Sequence, residues 1–421
     1  MGMASGFPHV LIGSNLSGWL KDEGISRGEI SLLGSVAVVY ALNFLWAPLI
    51  DRVRLPWLGR LGQRRSWILL TQGIMLLALV GFMNIDPSEK LWLFGLLAFS
   101  VALFSATQDI AIDAFRIDQF RPEENDKTPA AAAMSVVGWW TGYSWPGYLS
   151  FANADSMGWN SVYVLMGLVL LVLMAATLLV REPVTDREQL QKEAEQAFAQ
   201  NLHLSGFGNW LAVTVVEPFR EFFNRNGFKV ALTLLLFIFL FKIGEAFLGR
   251  MSVQFYREVG FSNEQIAQYS KLFGWFLTVA FTLAGSAFNT RFGVVKGLMI
   301  GGVAMASSNL MFAAMAEIGP KEWFFMLTLM VDNFTSAFAT VAMVAFLSSL
   351  TGRAFSATQY ALLASLGNLG RTSLSGFAGY TVDWLGSWTL FFIGTTVLVL
   401  PSLFLLWRLR HRIASLTDEK P

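Results

Sequence analysis

FSATQDIAIDAFRID, Phe104 to Asp118, closes a long apolar run that begins at Leu91. On a helix, Asp109, Asp113 and Arg116 fall at i, i+4 and i+7 and share one face. Ionisable residues at the end of a lipid-length apolar segment are expensive, and they mark a pathway or a gate. The stretch therefore predicts a membrane helix with a charged cytoplasmic end. The rest of the chain repeats the pattern. Of 421 residues, 54% are hydrophobic and only 14% charged, with a mean hydropathy of +0.52. A soluble globule carries about 25% charged residues. The deficit fits a polytopic membrane protein.

Composition also excludes chemistry. With no cysteine there are no disulfides and no thiol-based metal or redox site. His9, His203 and His411 are scattered, so no histidine metal site is expected, and no cofactor is indicated. A formal net charge of +1 gives no bulk field for nucleic acid. The N-terminus lacks the basic region of a cleavable signal peptide. Met1 to Leu20 is broken by Gly6, Pro8 and Gly13, so the first span is either short or begins upstream of Met1.

A bilayer core takes roughly 20 apolar residues per helix. That rule gives twelve spans, at 1–20, 29–50, 66–83, 91–112, 129–152, 161–180, 229–249, 265–287, 297–316, 323–349, 357–380 and 387–407. The fifth and eleventh are rich in Gly, Ser, Thr and Asn, which let helices pack closely in lipid. The only long connection splits the spans six and six. The expected domains are a six-helix bundle at 1–180, a cytoplasmic linker at 181–228, a second bundle at 229–407 and a tail at 408–421. Within the linker, Asn209 to Arg225 reads either as an interfacial helix or as a cap beneath the bundle. The fold class is thus an all-α membrane protein: twelve transmembrane helices in two pseudo-symmetric six-helix bundles with a cavity between them.

Lys and Arg set the orientation. The loop after span two holds Arg52, Arg54, Arg60, Arg64 and Arg65; the linker holds Arg181, Arg187, Lys192, Arg220 and Arg225; the tail holds Arg408, Arg410 and Arg412. The alternate loops are poorer, so both termini are expected in the cytoplasm.

Depth along each helix sorts the charges. Asp109 lies about 27 Å below the outer face, and with Gln108 it is a candidate for the cavity floor. Asp113, Arg116 and Asp118 lie at the cytoplasmic boundary and read first as a structural charge cluster whose carboxylates pair with the Arg-rich loop after span two; such a cluster can also act as a gate, for which Asp51, Arg52, Asp113 and Arg116 are the candidates. In the second half Lys242, Glu245, Lys271, Asp332, Asn333 and Arg371 converge on the middle-to-outer part of one bundle. Three cations against two carboxylates suit an anionic ligand. A self-satisfied polar core is the competing reading. Trp140 and Tyr143 lie near mid-depth of span five and form either a cavity wall or packing. Asp109, Glu245 and Asp332 are the carboxylates at membrane depth and the candidates for carrying a proton.

The segments GMASGFPHVLIGSNLSGWL (2–20), FLWAPLIDR (44–52), LGQRRSW (61–67), SATQDIAIDAF (105–115), FKIGEAF (241–247) and FSATQYALLASLGNLGR (355–371) resemble, in order, those of AmpG-type muropeptide permeases in the major facilitator superfamily. The resemblance implies the major facilitator fold. It implies proton-driven import of N-acetylglucosaminyl-anhydro-N-acetylmuramyl peptides, or the free disaccharide, for peptidoglycan recycling. The implied location is a Gram-negative inner membrane, with an indirect role in β-lactamase induction. The substrate-binding candidates are Gln108, Asn43, Trp140, Tyr143, Lys242, Lys271, Asn333, Gln359 and Arg371. Two positions depart from the family: Asn43 stands where Lys is frequent, and Trp140 where Arg is frequent. Both departures remove a cation, and a less anionic solute such as a siderophore is the alternative cargo. Partners are expected to be the glycopeptide, protons and the bilayer, with the protein a monomer. A membrane enzyme is disfavoured, because no nucleophile–base motif is present and GEAFLGR lacks the ending of a phosphate loop. A sensor that binds without translocating is the third class.

Overall fold

The computed structural model describes residues 1–120, 124, 127–182, 189, 206–266, 274–375 and 377–416. These residues form helices, and the helices follow the twelve apolar stretches. The α1 rod starts as Gly2–Val10, passes through a π turn at Leu11–Asn15 and resumes as Leu16–Asp22. The α2 rod is broken more often. Arg27–Gly34 opens on a capping box in which the Ser26 hydroxyl accepts from the Glu29 amide, and 3-10 turns at Ser35–Val38 and Asn43–Leu45 precede Ala47–Arg52. Then come α3 (Gln63–Met83) and α4 (Leu91–Asp118). Thr128–Leu179 runs for 52 residues but leaves helical geometry at Gly158, φ 75°, and this break separates α5 from α6.

The linker helix is Gly206–Asn226. The α7 rod consists of Phe228–Phe241 and Ile243–Val259, with Lys242 at the break. It is followed by α8 (Gly274–Phe292), α9 (Val294–Ile318) and α10 (Glu322–Leu350). The last rods are α11 (Ser356–Ser375, then Ala378–Leu385) and α12 (Trp388–Leu416).

Seven helices among the described residues are long and apolar enough to cross a bilayer unaided, the fused α5–α6 counting as one. The others fall short for visible reasons. α1 and α2 are interrupted, α11 is polar, and α8 begins beyond residues 267–273, which are not described. The charged linker segment 186–200 is outside the described residues apart from residue 189.

The chain packs as two compact units. Unit 1 is Met1–Arg121, Val137–Glu221 and Thr351–Leu362; unit 2 is Pro122–Val136, Phe222–Leu350 and Leu363–Pro421. The start of α5 therefore belongs to unit 2 and the start of α11 to unit 1. Unit 1 is cored by Trp19, Phe82, Phe94 and Tyr163, with ring centroids 4.6–5.1 Å apart. The Tyr163 hydroxyl donates to the Leu11 carbonyl at 2.9 Å, satisfying an acceptor at the π turn. Unit 2 is cored by Phe255, Phe312, Phe325, Phe391 and Phe392.

One close approach sets the geometry of unit 1. A Cβ on Gly6 would stand 2.0 Å from the Trp139 carbonyl oxygen, so only glycine lets α1 lie this close to α5.

Candidate functional site

Three constellations of polar side chains occur in the described residues, two in unit 1 and one in unit 2. The first is built on α1. Pro8 lacks an N–H, so the Ala4 carbonyl four residues earlier has no helical partner. Gln108 on α4 fills the gap by donating from Nε2 at 2.7 Å. Gln108 is fully buried, which corrects the expectation that it lines a cavity floor. Next to it the Ser5 hydroxyl donates to the Asp109 carboxylate at 2.6 Å. Asp109 is thus held by α1 and has no ion-pair partner among the described residues. Tyr40 of α2 and Ser105 lie in the same environment.

His9, one turn after Ser5, stacks on Tyr40 at 4.2 Å and meets Trp139 at 5.2 Å. Trp139 stacks on Tyr143 at 5.5 Å, and Trp140 stands edge-on to both, 38% exposed. Asn43 is half-buried, in the second 3-10 turn of α2. Ser5, His9 and Tyr40 were missed by the sequence reading. The signal was present: Ser5 and His9 are i, i+4 on the one helix that Pro8 obliges to seek outside partners.

The second constellation, at the C-terminal end of α4 about 14 Å further along the helix, is a buried ion network. Asp51 and Arg64 are 2% and 1% exposed and pair at 2.7 Å. The other side of the guanidinium meets Asp118 at 3.2 Å. The Asp51 carboxylate also accepts from the backbone amides of Ala357 (3.2 Å) and Thr358 (2.8 Å) and from the Thr358 hydroxyl (2.7 Å). An anion at these amides caps the start of α11 and complements its dipole. Ser356 donates to Asp118 at 2.9 Å and accepts from Arg64 at 2.9 Å. Arg64 itself is placed by Glu182, whose carboxylate accepts from the amides of Arg64 and Arg65 at the first turn of α3.

Two gate expectations change here. Asp113 and Arg116 pair with each other at 3.1 Å, and Arg116 lies over the Tyr360 ring at 5.0 Å. The Arg-rich segment after α2 is met by Asp118 instead. Arg52 is half-buried beside this network. Gln359 is not available to a ligand either. It is 1% exposed, donates to the Pro218 carbonyl and to Glu221, and accepts from the Gly352 amide. It ties the linker helix to the start of α11, in line with the cap reading of that helix.

The third constellation is in unit 2. Lys242, at the break of α7, pairs with Glu245 at 3.0 Å and donates to the Thr340 hydroxyl at 2.6 Å. Ser336 donates to Glu245 at 2.9 Å. Asp332 accepts from Ser308 at 2.8 Å and lies within electrostatic reach of both Glu245 and Lys242. Asn333 accepts from Thr278 at 3.1 Å and donates to the Leu329 carbonyl. Arg371 acts on Lys242 and Glu245 through space, and its side chain is exposed with no ion-pair partner among the described residues. Lys271 lies outside the described residues. The three described charges plus Asp332 give two cations against two carboxylates. Lys242 and Glu245 neutralise each other at contact, so the excess of positive charge expected from the sequence is not present among the described residues, and Arg371 is exposed. No group of metal-binding side chains occurs among the described residues.

Comparison with known proteins agrees with this architecture. The family model described as Major Facilitator Superfamily matches residues 1–276. The chain is 33% identical to the anhydromuropeptide permease of Escherichia coli K12 over 408 residues, 96% of this chain and 77% of that one. It is 32% identical to a protein named AmpG 4 from Rickettsia felis over 415 residues, 98% of this chain and 95% of that one. Among solved structures, the proton:xylose symporter XylE aligns with a TM-score of 0.68 at 13% identity, covering 97% of this chain and 93% of the symporter. The human organic anion transporter MFSD10 aligns with a TM-score of 0.62 at 17% identity, covering 96% of each chain. Those two likenesses are of fold alone. The relatives at 32–33% identity match nearly the whole chain. The chain belongs to the major facilitator superfamily, as a multi-pass membrane transporter of the AmpG-type permease family.

Proposed function

We propose that the chain is a proton-coupled importer of anhydromuropeptides, the N-acetylglucosaminyl-anhydro-N-acetylmuramic acid disaccharide with or without peptide. On this reading it works at the inner membrane of a Gram-negative cell as a monomer with both termini in the cytoplasm. It serves peptidoglycan recycling and, indirectly, β-lactamase induction. The observation that carries the reading is the charge arrangement of unit 2. Lys242 and Glu245 satisfy each other at 3.0 Å, while Arg371 stays exposed beside them. A guanidinium that is exposed and has no contact ion pair among the described residues suits an anionic cargo. Trp140 and Tyr143 in unit 1 offer a ring face to a sugar. The 33% identity to a permease named for the same cargo supports the assignment.

The proton is assigned to Asp109. Its only described partner is a hydroxyl, so no fixed cation holds it ionised. Glu245 and Asp332 are the next candidates in that order. Release of the first turn of α11 from Asp51 is proposed as the gating step, since every tie in that network is a hydrogen bond that one small shift breaks together with its neighbours.

Asn43 and Trp140 leave unit 1 without the two cations frequent in the family, which favours a less anionic solute such as a siderophore as the second reading. Counterflow uptake into proteoliposomes, with labelled disaccharide and with ferric siderophore in parallel, decides between them. Accumulation of the disaccharide alone is expected; accumulation of the siderophore alone overturns the assignment. Asp109→Asn should abolish uphill uptake under a proton gradient and leave exchange of substrate across the membrane intact. If the variant still concentrates substrate, the proton is carried elsewhere.

A further inference from the structure

The transport reading leaves one titratable side chain of unit 1 unused, His9. Its Nδ1 lies 3.2 Å from the Ser5 carbonyl, which can only accept, so that nitrogen carries the hydrogen. In the neutral ring, Nε2 is then a bare acceptor. No described residue bonds it. Tyr40 lies against the ring at 4.2 Å, and Trp139 meets it edge-on at 5.2 Å and 64°. The close approach of α1 to α5 at Gly6 holds α1 against Trp139. The imidazole is only half-buried, and it adjoins the aromatic face that ends in the exposed Trp140. Packing alone would be met better by Leu or Phe, which bring no polar atom to desolvate.

We propose that His9 is a substrate-contacting residue: its Nε2 accepts a hydrogen bond from a hydroxyl or acetamido N–H of a sugar ring lying against Trp140 and Tyr143. This rests on the reading that the chain carries a sugar-containing solute. Tyr40 faces the ring from α2, Trp139 and Tyr143 come from α5, and Asp109 on α4 is reached through Ser5.

The test is counterflow of labelled disaccharide into proteoliposomes holding the wild type, His9→Leu or His9→Gln. His9→Leu should raise the half-saturating concentration about 3–10-fold, the range of one neutral hydrogen bond, with maximal rate within about twofold. His9→Gln keeps an acceptor oxygen and should stay near the wild-type value. An unchanged value in His9→Leu, or the same rise in His9→Gln as in His9→Leu, overturns the proposal. If His9→Leu does not fold, His9→Phe, which keeps a ring but has no acceptor, takes its place with the same expected rise. Absence of counterflow in all three proteins alike would instead mean that the cargo reading is wrong, and the proposal falls with it.

Discussion

Arg64 is the residue on which the ion network at the C-terminal end of α4 converges. It is 1% exposed, and it meets two carboxylates, the Ile50 carbonyl and the Ser356 hydroxyl. Removing one member of such a buried set leaves the others charged and unpaired. Arg64→Ala should therefore cost about 3–5 kcal/mol, read as a large fall in the melting temperature of the detergent-solubilised protein. Arg64→Ala combined with Asp51→Ala should cost less than the sum of the single changes, since the uncompensated charge is then removed. Additive losses would mean that the ion pair carries no coupling. The sequence pointed to this end of α4, with Asp113, Arg116 and Asp118 as a cluster against the Arg-rich loop, but not to which acid meets Arg64. Depth along a helix grows by about 1.5 Å per residue, which puts Asp113 and Asp118 together at the boundary. Direction does not follow from depth: five residues turn a helix by about 140°, so the two acids face different neighbours. Asp118 reaches Arg64, and Asp113 keeps to Arg116. The pairing of Lys242 with Glu245 was legible, because i, i+3 spacing fixes both distance and direction.

At the scale of elements, the twelve rods could be read from apolar length, but the breaks within them could not. The π turn at Leu11–Asn15 and the 3-10 turns of α2 have no residue type that demands them. They follow from contacts such as Tyr163 donating to the Leu11 carbonyl. α1 and α7 hold equivalent places in a six-plus-six chain, and both are interrupted, α1 at the π turn and α7 at Lys242. An interruption frees backbone groups and turns side chains out of the helical register, which is what a polar site on an apolar rod requires. Gly6 tests how tightly this is built. Gly6→Ala places a methyl 2.0 Å from the Trp139 carbonyl oxygen, and backbone cannot yield as a side-chain tip does. The expected cost is about 1–3 kcal/mol, with loss of monodispersity on size-exclusion chromatography. A variant as stable as the parent would show that α1 is free to shift against α5.

For the molecule as a whole, the division into units carries the mark of the six-plus-six layout. Residues 122–136 at the start of α5 pack in unit 2, and residues 351–362 at the start of α11 pack in unit 1. Spans five and eleven are the equivalent pair in such a chain, so the exchange is mutual. Hydropathy does not foretell it, because each of these segments is polar and each joins its unit through backbone ties: Ser286 donates to the Pro129 carbonyl at 3.1 Å, and Asp51 accepts from the amides of α11. The side of the membrane on which these ends lie follows from charge. The loop between α2 and α3 is rich in Arg and the loop between α3 and α4 is not, so α3 should carry the chain outward. The absence of cysteine makes this directly measurable with single-cysteine variants. Arg60, Glu89, Lys321 and His411 are all exposed and lie at helix ends or in loops. In intact spheroplasts a membrane-impermeant maleimide should label Glu89→Cys and Lys321→Cys at once. Arg60→Cys and His411→Cys should react only after permeabilisation. Labelling of Arg60→Cys and Glu89→Cys from the same side would mean that α3 does not cross. Labelling with the two pairs reversed would put the Asp51–Arg64–Asp118 network on the outer face, and the orientation read from the Arg-rich loops would be overturned.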